Sequence, residues 1–219
     1  MSGTRIKSVD TRNPEREVLD LALSVLRQGE VIVFPTETLY GLGCDAFEEI
    51  AVQRLYNIKR RDVRKPVLIL VHDENLLAEC VVSVPRSAQM LARRFWPGPL
   101  SLVLPASPRI PALLTAGTGK IGIRMPSSPL CLRLIKEFGR PVTATSANLS
   151  GQQNPQSVEG LLAVFNGKVP LILDGGLKKE KSPSTVVDVT SKRATILREG
   201  AIPSAHLREV LEDIEVASV

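Results

Sequence analysis

Histidine is almost absent from this chain of 219 residues: only His72 and His206 occur. A Ser-His-Asp triad or a His-based metal centre therefore has little material. Cysteine is equally scarce. Cys44, Cys80 and Cys131 are odd in number, widely spaced and form no CxxC pair, which argues against a disulfide framework and a Cys-rich zinc site. Each lies among apolar residues and reads as a buried thiol. Aromatic residues make up 4%, leaving few platforms for stacking single-stranded bases. No apolar run approaches the roughly 20 residues of a membrane span; the uncharged stretch 95–108 contains four prolines. The opening MSGTRIKSVDTRNPEREV carries charges where a secretory signal needs an apolar segment. These absences predict a soluble, cytoplasmic protein with no membrane partner.

What is present is an ordinary core and an excess of positive charge. Apolar residues reach 43%, and 28 Lys and Arg stand against 23 Asp and Glu, for a formal charge of +5. A basic balance suits an anionic partner such as a nucleotide, a nucleic acid or phosphate. Helical spacing appears at 14–28, with Asn13 as cap, Pro14 in the first turn and Gly29 as stop, and again at 47–58, 85–96, 128–138 and 157–166. Ser128-Pro129 and Gly139 bracket the fourth of these helices. Apolar strand candidates lie at 31–34, 67–71, 100–104, 121–125, 141–145, 169–173, 185–189 and 194–198. Their alternation with helices predicts an α/β fold with a twisted, mixed, largely parallel open sheet covered by helices. Residues 1–203 are expected to form one domain and 204–219 a short C-terminal helix with a loose tail. Stretches 145–157 and 174–184 read as loops.

Two nucleotide motifs fail. Gly41-Leu42-Gly43-Cys44-Asp45-Ala46 has the letters of a dinucleotide fingerprint, but Pro35 to Tyr40 separate it from its strand. Gly117-Thr118-Gly119-Lys120 hints at a phosphate loop, yet Leu114 and Ile121 stand where Gly and Ser or Thr are required.

Other strings place polar groups at strand ends, where open α/β sheets bind ligands. Pro35-Thr36-Glu37-Thr38-Leu39-Tyr40-Gly41-Leu42-Gly43 follows a buried strand; its hydroxyls both donate and accept, and its glycines allow close approach. Residues 54–65 hold six basic residues and one acid; the patch suits a triphosphate or is a solvated face. Arg124, in Gly122-Ile123-Arg124-Met125-Pro126, points opposite to Ile123 and is either a carboxylate clamp or a surface group. Thr143 to Gly151 passes from strand to a loop rich in hydroxyls and amides, fit for phosphate and ribose or for a capped turn. Ser184-Thr185-Val186-Val187-Asp188 and Ile196-Leu197-Arg198-Glu199-Gly200 each put polar groups at a strand edge.

In this order the strings PTETLYGLG, Lys59-x-Arg61, GIRMP, TSANLSG, STVVD and LREG resemble the YrdC-like family of threonylcarbamoyl-AMP synthases, from about residue 16 to 203. The resemblance implies a large basic cavity and three substrates: ATP, L-threonine and bicarbonate, with magnesium expected and no structural metal. It implies a threonylcarbamoyl-adenylate product, pyrophosphate, and a partner transferase that modifies tRNA. Lys59 and Arg61 are the implied catalytic groups. Lys59, Arg61, Lys65, Ser146, Asn148, Asn154 and Arg198 are implied around ATP; Thr38, Arg124 and Ser184 around threonine. The sequence departs from the family's pattern at Asp62, Lys65 and Leu70, where many members carry Pro, Asn and His. The competing readings are a non-catalytic module binding tRNA or double-stranded RNA, and a carbamoyl-transfer domain of the kind found in hydrogenase maturation.

Overall fold

The computed structural model describes residues 3–176, 182–212 and 215–218. Part of the loop expected at 174–184, residues 177–181, lies outside the described residues. In chain order the elements are β1 (Arg5–Ser8), α1 (Arg16–Arg27), β2 (Ile32–Pro35), β3 (Tyr40–Gly43), α2 (Glu49–Lys59), β4 (Ile69–Leu70), α3 (Glu74–Cys80) and α4 (Arg86–Phe95). They continue with β5 (Leu100–Pro105), β6 (Lys120–Arg124), α5 (Pro129–Phe138), β7 (Val142–Thr143), β8 (Thr145–Ser146) and α6 (Val158–Phe165). The last are β9 (Leu171–Asp174), β10 (Thr185–Asp188), β11 (Ala194–Arg198), α7 (Ser204–Val210) and β12 (Val216–Ser218).

The strands form two sheets, ordered β1-β9-β2-β3-β8 and β12-β11-β10-β5-β6-β4-β7. The fold is α/β with mixed sheets, as the alternation of patterns predicts. The predominance of parallel pairing is corrected: β1–β9, β2–β9, β4–β6, β5–β10 and β11–β12 are parallel, and an equal number of pairs run antiparallel. Short connections explain two of these, β2–β3 and β10–β11, because a four- or five-residue link between paired strands can only reverse the chain. All four residues of β2 are buried, which suits a strand covered on both faces. β1, at the sheet's edge, is mostly exposed.

Helix boundaries follow local chemistry. Ser128 accepts a hydrogen bond from the Cys131 amide, Pro129 opens α5, and Gly139 closes it with φ +73°, as expected. At α1 the expectation is corrected: the cap position is Glu15, with no side-chain cap, and helix starts at Arg16. The Asn13 side chain is too far upstream to reach the free amides of that first turn. The tail is also corrected. α7 is followed by β12, which pairs with β11 through Ala194↔Val216 to Ile196↔Ser218, so residues 216–218 extend the larger sheet.

Gly43 shows how closely β3 is packed. A Cβ there would strike the Phe34 ring and stand 2.8 Å from Val142 Cγ1 and 2.9 Å from the Thr143 carbonyl oxygen. The thiols of Cys44, Cys80 and Cys131 are all buried, and burial pushes Cys44 and Cys80 up to about 12. They are unreactive core groups, as expected. No helix among the described residues is long and apolar enough to cross a membrane.

Candidate functional site

The site begins in the turn between β2 and β3. Thr36 Oγ1 donates to the Leu39 carbonyl at 2.7 Å and accepts from the amides of Thr38 and Leu39, each at 3.2 Å. A hydroxyl that closes the turn on itself explains why threonine suits position 36. Thr38 Oγ1 lies 3.0 Å from Thr36 Oγ1 and receives Arg124 Nη1 at 3.2 Å. The Gly-x-Gly that follows lies inside strand β3, so it opens no helix and the rejection of a dinucleotide fingerprint stands. Gly117 to Lys120 likewise leads into β6, and a strand cannot cradle phosphate as a helix N-terminus does.

A cavity of about 530 Å³ lies beside this turn, walled by both sheets. That volume falls within the roughly 300–1,000 Å³ of small-molecule sites. Thr38, Arg61, Arg124, Ser146, Ser184 and Arg198 all line it, although they come from six separate stretches of sequence. β6 contributes Lys120, Gly122 and Arg124, and the β10 segment contributes Ser184, Val186 and Asp188. Both sets have a period of two, as one face of a strand must.

Arg124, lining the cavity, has its side chain only 5% exposed and Nη1 3.4 Å from Glu37 Oε1. Its Nε is buried without a hydrogen-bond partner. Arg198 approaches from β11, donating to the Ser184 carbonyl at 3.1 and 2.8 Å and to Ser184 Oγ at 3.1 Å. Ser184 Oγ also meets Ser101 Oγ at 2.9 Å. Burial, and then the charge of Arg124, pull the Arg198 guanidinium below its usual value. Two cations that repel across a half-closed cavity favour an anion between them. The register of β10 against β11 shifts between Val186 and Val187, and Leu197 and Arg198, though consecutive, both face the cavity. A bulge that re-aims neighbouring side chains has this effect.

The remaining expected residues lie elsewhere. Lys59 ends α2 and is 1% exposed. Its Nζ donates to the Ser146 carbonyl at 2.5 Å, the Asn148 carbonyl at 2.9 Å and Asn148 Oδ1 at 3.0 Å. Burial and the nearby Arg61 bring its pKa down to about 7. Lys59 is therefore a post under the loop that presents Ser146, one layer behind the cavity wall. Asn148 is similarly engaged: Oδ1 also accepts from Ser146 Oγ at 2.6 Å, and Nδ2 donates to the carbonyls of Leu149 and Gln152 at 2.9 and 2.6 Å. Lys65 is exposed and Asn154 half-buried; neither lines the cavity. Arg61 does line it and is braced by the carbonyls of Lys65 at 3.0 Å and Pro66 at 2.7 Å. Leu70 is fully buried in β4, and Leu68, just before that strand, lines the cavity.

Sequence reasoning passed over Lys120, which lines the cavity and pairs with Asp188 at 3.0 Å. Its signal was strand alternation, four residues before Arg124. It also passed over Glu37, whose two carboxylate oxygens are buried without hydrogen bonds. No cluster of three or more His, Cys, Asp or Glu side chains that could hold a metal occurs among the described residues. Asp188, the cavity's carboxylate, is held by Lys120 and by Thr190. These residues do not form a metal cage. A magnesium ion arriving on a triphosphate takes phosphate oxygens and water as its main ligands.

Comparison with known proteins gives a concordant result. Residues 24–200 match the model of the family described as Telomere recombination, Sua5_yciO_yrdC. A threonylcarbamoyl-AMP synthase of Pyrococcus abyssi is 39% identical over 196 residues, 90% of this chain and 58% of that protein. A putative threonylcarbamoyl-AMP synthase of Mycobacterium tuberculosis is 34% identical over 97% of this chain and 98% of its own length. The crystal structure of P. abyssi Sua5 complexed with L-threonine superimposes with a TM-score of 0.91 at 38% identity, covering 97% of this chain and 62% of that one. The chain thus spans under two thirds of the length of the Pyrococcus relative.

Proposed function

Since the chain belongs to the Sua5_yciO_yrdC family, we propose that it is a nucleotidyltransferase making L-threonylcarbamoyl-adenylate and pyrophosphate from L-threonine, bicarbonate and ATP. The observation that carries this reading is the convergence of Arg61, Arg124 and Arg198 with Thr38, Ser146 and Ser184 on one cavity. Two relatives bear the name of this activity, and a structural relative is described as complexed with L-threonine.

The chemistry fits a site without a nucleophile or a histidine base. The threonine amine and bicarbonate combine with loss of water to a carbamate. A carbamate oxygen attacks the α-phosphorus of ATP, and pyrophosphate leaves. The attacking group carries its own charge, so the protein's tasks are positioning and stabilisation of charge on the departing phosphates. Arg124 holds the threonine carboxylate, with Thr38 and Ser184 beside it. Arg61, Arg198 and Ser146 face the triphosphate. Lys59 and Asn148 act one layer behind by fixing the loop that carries Ser146. Lys65 and Asn154 reach ATP only if their segments close over the nucleotide. The adenylate then passes to a transferase that modifies tRNA.

Pyrophosphate release tests this reading. It should require ATP, L-threonine and bicarbonate together. Serine lacks only a methyl group, worth about 1–3 kcal/mol in a fitted pocket, so it should support reduced release. Equal release with serine, or release with no amino acid, removes threonine from the assignment.

A further inference from the structure

Among the described residues, four buried side-chain polar atoms lack a hydrogen-bond partner, and three of them sit together: both oxygens of Glu37 and Nε of Arg124. Buried polar groups are nearly always satisfied, and a carboxylate without donors is especially costly. Arg124 lines the cavity, and such a concentration around one of its lining cations is a sign that the arrangement answers to a ligand. Arg124 Nη1 approaches Glu37 Oε1 at 3.4 Å, with side chains 5% and 15% exposed. The contact has the distance of an ion pair without hydrogen-bonding geometry, and Arg124 gives its directed Nη1 bond to Thr38 Oγ1. Arg124 thus keeps Nε free while its charge is offset from behind.

We propose that Glu37 is a resident counter-ion of Arg124 that limits the affinity for the substrate carboxylate. The inference rests on the reading of Arg124 as the threonine clamp. In the empty site Glu37 keeps the arginine from being an uncompensated buried charge. When a substrate carboxylate arrives it competes with Glu37 for the guanidinium, and pushing the resident carboxylate away weakens the newcomer. Glu37 therefore keeps the site stable when empty and lets the amino acid leave readily. The neighbouring Thr36 and Thr38 lock the turn through their mutual contacts, so the Glu37 side chain can be changed without unfastening it.

The test is calorimetric titration of L-threonine and L-threonine amide into wild type, Glu37→Gln and Glu37→Met. Removing the anion should tighten L-threonine binding by roughly tenfold, the effect of one unit charge at several ångströms in a medium of intermediate dielectric. Methionine cannot donate a hydrogen bond, so tightening in both variants excludes a new amide contact as the cause. The amide has no carboxylate, and its affinity should stay within about twofold. Both variants should melt lower than wild type when empty and regain the difference in saturating L-threonine. Unchanged or weaker threonine binding in folded variants overturns the counter-ion role. If a variant does not fold, structures of the wild type with and without L-threonine decide: the Arg124–Glu37 contact should lengthen beyond ion-pair range on binding, and an unchanged contact overturns it. Failure of the wild type to bind L-threonine removes the underlying reading as well, and that result is distinct from the others.

Discussion

At the scale of single residues, some groups line the cavity and others hold those groups. Arg124 is of the first kind, and in the proposed function it meets the threonine carboxylate. Lysine at that position keeps the charge and loses the planar fork, so Arg124→Lys should weaken L-threonine binding by about 1.5–3 kcal/mol with most ATP affinity retained. Arg124→Ala should be worse, because Glu37 is then left buried without a counter-charge. Titration of both ligands checks this; equal losses for ATP and threonine would assign Arg124 a general structural role. Lys59 belongs to the second kind and has a pH signature. Its folded pKa of about 7 lies below that of a free lysine, so between about pH 7 and 10.5 the unfolded chain binds more protons. Stability from this group must therefore rise with pH across that window and be lowest below it. Denaturant titrations at pH 6.5, 8 and 9.5, with uncharged Lys59→Met as reference, should show that slope in wild type and its loss in the variant. A slope common to both would place the titration elsewhere.

At the scale of elements, the β10–β11 pair decides where the second wall of the site stands. Thr185 is fully buried; its hydroxyl donates to the Ile202 carbonyl at 2.7 Å and accepts from the amides of Gly200 and Ile202 at 3.0 Å. One hydroxyl thereby ties β10 to the turn that follows Arg198. Gly200 is required there because a Cβ would strike the Pro183 carbonyl. Thr185→Val keeps the shape and removes all three bonds. It should cost about 2–4 kcal/mol by leaving buried groups unpaired and should weaken ATP binding through displacement of Arg198. Wild-type affinity in a destabilised variant would separate the turn from the site.

At the scale of the whole molecule, much was legible in the sequence and the rest was not, for physical reasons. The strands at 100–104, 121–125 and 194–198 show as apolar runs, and α5 shows through Ser128, Pro129 and Gly139, because burial and capping leave local marks. The position of Arg124 opposite Ile123 follows from alternation, and so would that of Lys120. β3 reads as loop because its Tyr-Gly-Leu-Gly has low strand propensity and is held by pairing with β2 and β8. Neither the adjacency of Glu37 and Arg124 nor the bulge exposing both Leu197 and Arg198 to the cavity can be read locally, since each arises from tertiary packing. The burial of Lys59 beneath Asn148 is of the same kind. The resemblance of ordered motifs supplied the substrates; the structure contributes the division into wall and support.

If the cavity joins three substrates as proposed, carbon from bicarbonate stands between threonine and AMP in the product. Mass spectrometry of the product formed from ATP, L-threonine and ¹³C-bicarbonate tests it most directly. The expected product is one adenylate that contains threonine and carries the heavy carbon. A threonyl-adenylate without the label, with the amino acid's own carboxylate on the α-phosphorus, would contradict both the proposed reaction and the role of Arg124.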